Sequence, residues 1–310
     1  MTQDIHILKV LDLAKQLLQI AQIPLHGSKH SQKTFTQHQL FQLLVLKSYE
    51  QKGYEKFEEY LKTATVVTKH LKLNRIPHYT TLQKFAQRQN IQQLEKLLLR
   101  FVDLALKKPK ALGADATGIR SHYASEHYEK RIGRSEKKKD YFKANFVYDL
   151  VNQVIVAVKM RGKARGDLRD MKALINKTKA IPYQKFFADK AYDAEWFHEI
   201  IFLSGRTSWI HLKNESKPVH RTQGHYRKYM KRRQKNSQKG KRSLCESVNS
   251  ALKRLFGAFL HARSLTAKKI EFLFKIITYN LDRIVKITKS FLQKFYLLFC
   301  FAFLLQKQDC

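Results

Sequence analysis

Ala111-Leu-Gly-Ala-Asp115-Ala-Thr-Gly-Ile119 is a short, mostly apolar stretch with an acid at its centre. It follows Pro109 and closes the helical pattern of residues 1–108. Small apolar residues with Thr and Gly over so short a run predict a buried strand. A carboxylate there is costly unless it is paired or holds a cation. Phe186-Phe-Ala-Asp189 repeats the arrangement, with the acid at the end of the apolar run. A third acid, Glu246, follows Arg242-Ser-Leu-Cys in a helical pattern. Adjacent parallel strands would bring Asp115 and Asp189 side by side. A helix packed on the same sheet could add Glu246. Taken singly each acid has an ordinary reading, since an Asp at a strand end is commonly a turn or cap residue.

Working outward, residues 141–150 and 153–160 read as strands joined by a turn at Asp149–Asn152. Gly166–Ala180 reads as a helix, with Asp167 and Asp170 as acids near its start. Ala194–Leu203 reads as a helix beginning near Asp193 and Glu195, Thr207–Leu212 as a strand, and Ser243–Phe256 as the helix of Glu246. Ala267–Lys289 carries Ile270, Phe274, Ile277, Leu281 and Ile284 at helical spacing. Strands and helices in this order predict a mixed α/β domain. The N-terminal 108 residues predict helices alone. Thr36 is placed to cap a helix carrying Leu40 and Leu43–Leu46. Short helices ending in a polar segment, Gln83–Gln89, fit either a helix-turn-helix module or a plain bundle.

The chain of 310 residues holds 60 Lys+Arg against 25 Asp+Glu, a formal net charge of +35. Such a charge repels itself and calls for a polyanionic partner, nucleic acid first and an anionic membrane surface second. Residues 217–242 concentrate it, with 11 Lys or Arg, no acid, and His220, Tyr226 and Tyr229 interleaved. Phosphate contact is the favoured reading of Arg227, Lys228, Lys231, Arg232 and Arg233, against a solvated charged face. Three scattered cysteines make neither a disulfide framework nor a zinc motif. The opening residues carry no secretory pattern, so a cytoplasmic, nucleoid-associated protein is expected. The apolar run Phe295–Leu305 falls short of a spanning helix. Residues 290–310 are expected to be an apolar tail whose run forms a core or oligomer-interface helix rather than a membrane attachment. Trp196 and Trp209 are expected in the core rather than stacked on bases.

The blocks Gly113-Ala-Asp115-Ala-Thr117-Gly-Ile119, Ala188-Asp189-Lys-Ala-Tyr192-Asp193 and Arg242-x3-Glu246-x6-Lys253 resemble the DDE transposases of prokaryotic insertion sequences. The resemblance spans residues 70–286, and Pro77–Phe85 is similar to the end of that family's N-terminal DNA-binding region. One branch of the family has a Tyr three residues before the Arg; Lys239 stands there in this chain. The resemblance implies a ribonuclease H-like mixed sheet flanked by helices over 109–289, with an N-terminal all-helical domain over 1–108. It implies that Asp115, Asp189 and Glu246 are catalytic and hold divalent metal, two magnesium or manganese ions. Arg242, Lys253 and Arg254 would contact DNA phosphates near the reacting bond. The implied partners are double-stranded DNA, both element ends and target, and a second copy of the chain in a homodimer. Within the same chemistry, a structure-specific nuclease is an alternative; a DNA-binding remnant without catalysis is another.

Overall fold

The computed structural model describes residues 2–28, 30, 33–120, 131, 141–162, 166–233 and 243–306. The N-terminal part is helical throughout: α1 (Thr2–Ile20), α2 (Gln37–Tyr49), α3 (Tyr54–Thr63), α4 (Thr65–His70), α5 (Tyr79–Gln87) and α6 (Ile91–Leu104). Thr36 caps α2 as expected. Its hydroxyl accepts from the Gln39 amide while the Gln39 side chain accepts from the Thr36 amide. α3 packs on α5 across the short α4, and Glu58 of α3 accepts from the Tyr79 amide at the start of α5 (2.8 Å). Gln83, Lys84 and Gln87 lie exposed on α5.

The second part alternates strands and helices. β1 (Ala111–Arg120), β2 (Tyr141–Asp149) and β3 (Val154–Arg161) are followed by α7 (Leu168–Lys177), β4 (Lys185–Ala188), α8 (Glu195–Leu203) and β5 (Thr207–Ile210). Then come α9 (His225–Arg233), α10 (Ser243–Phe256) and α11 (Leu265–Gln306). The sheet order is β3-β2-β1-β4-β5. β1, β2 and β3 form an antiparallel meander, and β4 and β5 extend it in parallel beyond β1. This is the ribonuclease H-like arrangement. The β2–β3 turn is set by Asp149, whose carboxylate accepts from the Val151 and Asn152 amides.

α11 joins the two parts. It touches α1, α2, α5 and α6 on one side and β3 and α10 on the other. The buried side chains of both parts form one continuous cluster. Polar groups fix the register of this packing. Asn280, fully buried, accepts from the Ile155 amide (2.8 Å) and donates to the Ile155 carbonyl (2.7 Å), satisfying the backbone of edge strand β3. His6 of α1 meets Asp282 at 2.8 Å. The helix does not stop near Lys289. It continues to Gln306 because residues 265–306 contain neither Gly nor Pro. Among the described residues no helix is long and apolar enough to cross a membrane.

Candidate active site

Backbone register brings the first two acids together. β1 and β4 run parallel with Ala114 opposite Ala188, so the next residue of each strand is Asp115 and Asp189. Side chains alternate across a sheet, which places both acids on the face of Gly113 and Phe187. Asp189 also caps the 3-10 turn Lys190–Tyr192, accepting from the Lys190 amide at 2.5 Å. Its ordinary role as a cap and its place beside Asp115 are compatible, because the turn fixes the carboxylate at the strand end.

α10 supplies the third acid by packing on β1. The approach is close: a Cβ added to Gly113 would fall 2.6 Å from Sγ of Cys245 and 2.9 Å from a methyl of Leu150. Only glycine at 113 lets the helix settle at this height. Cys245 is buried there, and Glu246, the next residue, is exposed in the first turn. Asn249, one turn on, reaches back to the strand. Its Nδ2 donates to Asp115 Oδ2 at 2.8 Å, and its Oδ1 accepts from the buried Tyr148 hydroxyl at 2.6 Å. Asp115 Oδ1 accepts from the Ala116 amide at 2.8 Å. Tyr148 lies opposite Gly113 on β2, so β2, α10 and β1 hold Asp115 through one chain of hydrogen bonds. Sequence reading missed Asn249 and Tyr148. Asn249 was accessible in principle, since a residue three after Glu246 shares its helix face; Tyr148 carried no signal.

The surroundings of Asp115 disfavour its charged form. Burial raises its pKa from the ordinary carboxylate value. The Ala116 and Asn249 hydrogen bonds oppose that shift, and the negative charges of Glu246 and Asp189 add to it. Among the described residues no Lys, Arg or His pairs with Asp115, although the chain is strongly basic. Tyr192 adds a buried hydroxyl without a hydrogen-bond partner among the described residues. Burial raises its pKa, as do the charges of Asp167, Asp115, Cys245 and Asp189. Asp115, raised by the charges of Glu246 and Asp189, and the orphaned Tyr192 hydroxyl offer oxygen donors of the kind a hard divalent cation takes. Among the described residues no group of three or more His, Cys, Asp or Glu is gathered closely enough to hold a metal ion. Asp115 feels the charges of both other acids, but the three are not drawn together.

The basic segment is built onto this side of the fold by two acids. Glu195 of α8 accepts from the Tyr226 and Arg227 amides (2.7 and 3.1 Å), capping α9. Gly224 makes room for this cap: its φ is +92°, and any Cβ would strike the Glu195 carboxylate. Asp193 is buried and receives both prongs of Arg227 (2.9 and 2.7 Å), the Lys213 amide (2.8 Å) and His198 (3.2 Å). His198 in turn meets Ser208 at 2.8 Å; all three of these side chains are buried, so this Ser-His-Asp order is structural. Burial pushes the Asp193 carboxyl up, but hydrogen bonds from His198, Arg227 and Lys213 outweigh it and hold the pKa at about 2. Tyr226 and Tyr229 stack and edge onto Phe202 of α8, so the interleaved aromatics serve docking.

The residues expected to contact DNA therefore divide. Arg227 has its fork engaged by Asp193, and its charge is neutralised inside the fold rather than offered to a partner. Lys231 binds the Asn214 and Lys217 carbonyls and staples the preceding loop. Lys228 is half-buried, while Arg232 and Arg233 are exposed at the end of α9, Arg233 lying 5.7 Å from the ring centre of Trp209. Trp209 stacks on Phe187 and is half-buried. On α10, Lys253 is half-buried two turns beyond Glu246 on the same side, and Arg254 is exposed. Arg242 and Lys239 lie outside the described residues. Asp170, set aside as a helix-start acid, is buried and held by Arg161 and Asn145; Asp167 pairs with Lys143.

The five-stranded mixed sheet carries Asp115 midway along β1, beside Asp189 just past the end of β4, with Glu246 on the helix that packs on β1. Residues 107–281 match the family described as transposase DDE domain, more than half of the chain, and the chain belongs to that family. It is a DDE-type DNA transposase. Members of the family generally use divalent metal ions. No curated protein matches the chain. Among solved structures it is similar to a piggyBac transposase synaptic complex with hairpin DNA, at 8% identity and a TM-score of 0.43, over 93% of this chain and 73% of that one. It is also similar to a Mos1 transposase paired-end complex with the left transposon end, at 15% identity and a TM-score of 0.25, over 86% and 82%. A pre-cleavage Mos1 transpososome is similar over the same shares at 12% identity and a TM-score of 0.25.

Proposed function

We propose that this transposase cuts the ends of an insertion sequence and joins the freed 3′-hydroxyls to target DNA, with Asp115, Asp189 and Glu246 as its catalytic acids. The observation that carries this reading is the Ala114–Ala188 register. It sets Asp115 beside Asp189 on the face covered by the Glu246 helix, where Asp115 senses both other charges. The three carboxylates would hold two magnesium or manganese ions, which supply charge neutralisation for the attacking and leaving oxygens. Asn249 and Tyr148 keep Asp115 facing the site. The Asp189 cap keeps that carboxylate at the strand end. Lys253 and Arg254, with Arg242, bind phosphates flanking the reacting bond, and Arg232 and Arg233 extend the basic surface along α9. Duplex DNA is the partner, in the cytoplasm beside the nucleoid. A homodimer would hold the two ends together. The test is a joining assay with the DNA that flanks the gene as donor: the protein with magnesium or manganese should link donor 3′-ends to a second duplex. Hydrolysis without joining would reduce the function to that of a nuclease.

A further inference from the structure

We propose that a lysine-lined groove on edge strand β3 binds the phosphate backbone of target DNA. The groove has a volume of about 540 Å³ and runs between α6, β3 and the start of α11. Its apolar floor includes Val156 and Met160 of β3 and Leu99 of α6. Four lysines and one acid line it: Lys96, Lys159, Lys177 and Lys269 with Glu95. Lys177 and Glu95 neutralise each other at 2.5 Å, and Lys177 also binds the Val158 carbonyl (3.1 Å). Lys96, Lys159 and Lys269 have no acidic partner among the described residues, which leaves three unbalanced positive charges around one concavity.

This surface is separate from the basic end of α9. β3 is one edge of the sheet and β5 is the other, with Asp115 on the central strand β1 and Asp189 just past the end of β4. Basic surfaces at both edges suit an enzyme that must hold two duplexes across one reacting centre. The groove's chemistry favours the target. Lysines on a backbone-sized concavity contact phosphates as point charges, and phosphate contacts carry no sequence information, so binding here would be largely indifferent to sequence. The β3 strand bulges at this place, between its pairings through Ile155 and Ala157, which bends the strand and increases its twist there.

The inference rests on the proposed function, and the test separates the two. The triple variant Lys96→Gln/Lys159→Gln/Lys269→Gln should bind duplex DNA of arbitrary sequence less tightly. The slope of log affinity against log salt should flatten by about 3, because each phosphate that a lysine neutralises adds about 0.9 to it. Joining to target should fall at least tenfold at 0.15 M salt while cleavage of donor ends is retained. Glu95→Gln, which frees Lys177, should steepen the slope by about 1. An unchanged slope in both variants overturns the groove. A wild-type protein that cleaves no donor end overturns the proposed function, and the slopes decide the groove even then.

Discussion

Asn249 Nδ2 lies 2.8 Å from Asp115 Oδ2, and this bond ties the third acid's helix to the first acid's strand. The same amide takes the Tyr148 hydroxyl on its oxygen, so removing it takes a partner at once from half-buried Asp115 and from the buried Tyr148 hydroxyl. Asn249→Ala is expected to cost about 1–3 kcal/mol of stability. It should also lower the turnover of end cleavage more than it changes DNA affinity. Tyr148→Phe should move stability by less, because it leaves the Asn249–Asp115 bond. Urea unfolding with parallel cleavage kinetics checks both, and equal loss in affinity and turnover for Asn249→Ala would make the residue merely structural.

The packing of Gly113 on Cys245 makes a prediction about space rather than chemistry. Gly113→Ala places a methyl where Sγ and a Leu150 methyl already lie, and should cost about 1–3 kcal/mol. Cys245→Ala alone removes one buried atom and should cost less. The double variant should recover part of the Gly113→Ala loss, since the added methyl gains the sulfur's place. A purely additive double mutant would show that the helix height is set elsewhere.

Asp115 gives a signed dependence on pH and on metal. A carboxyl raised in the fold stabilises the native state below its unfolded pKa and loses that contribution as pH rises through the folded value. At neutral pH with chelator, Asp115→Asn should therefore melt no lower than the wild type. Magnesium or manganese should raise the melting temperature of the wild type, increasingly as pH rises, and leave Asp115→Asn unmoved. A metal shift of equal size in both proteins would remove Asp115 from the ion site.

Asp193 shows the opposite sign. Its carboxyl is held at about 2 in the fold, so it contributes stability above the ordinary carboxylate range of about 4 and loses it as pH falls towards 2. Arg227→Gln should lose stability throughout the range where Asp193 is ionised, with little effect on the salt slope of DNA binding. Arg232→Gln/Arg233→Gln should do the reverse, flattening that slope by about 2 with little effect on melting. The contrast is read from thermal melts beside binding titrations at several salt concentrations.

The sheet was legible because each strand announced itself in short apolar runs, and Ala111–Ile119 with Phe186–Asp189 placed both acids by local pattern alone. The Thr36 cap was equally local. What the chain order hid was tertiary. Nothing near Asp193 or Glu195 says that they hold a basic helix some 30 residues away, so Arg227 looked free for DNA when its fork faces inward. The apolar run Phe295–Leu305 reads as a helix apart from Ala267–Lys289, and the absence of a helix breaker between them joins the two in α11. The reading of the three acids as a set rests on their local blocks. The amide that orients Asp115 lies 134 residues from it in the chain.

The most direct test measures end cleavage on the gene's own flanking DNA for the wild type, Asp115→Asn, Asp189→Asn and Glu246→Gln, with binding measured in parallel. The wild type should cleave only with a divalent ion, and each substitution should abolish cleavage while leaving DNA affinity within a few-fold. Cleavage at the wild-type rate in any one variant would contradict the three-acid site.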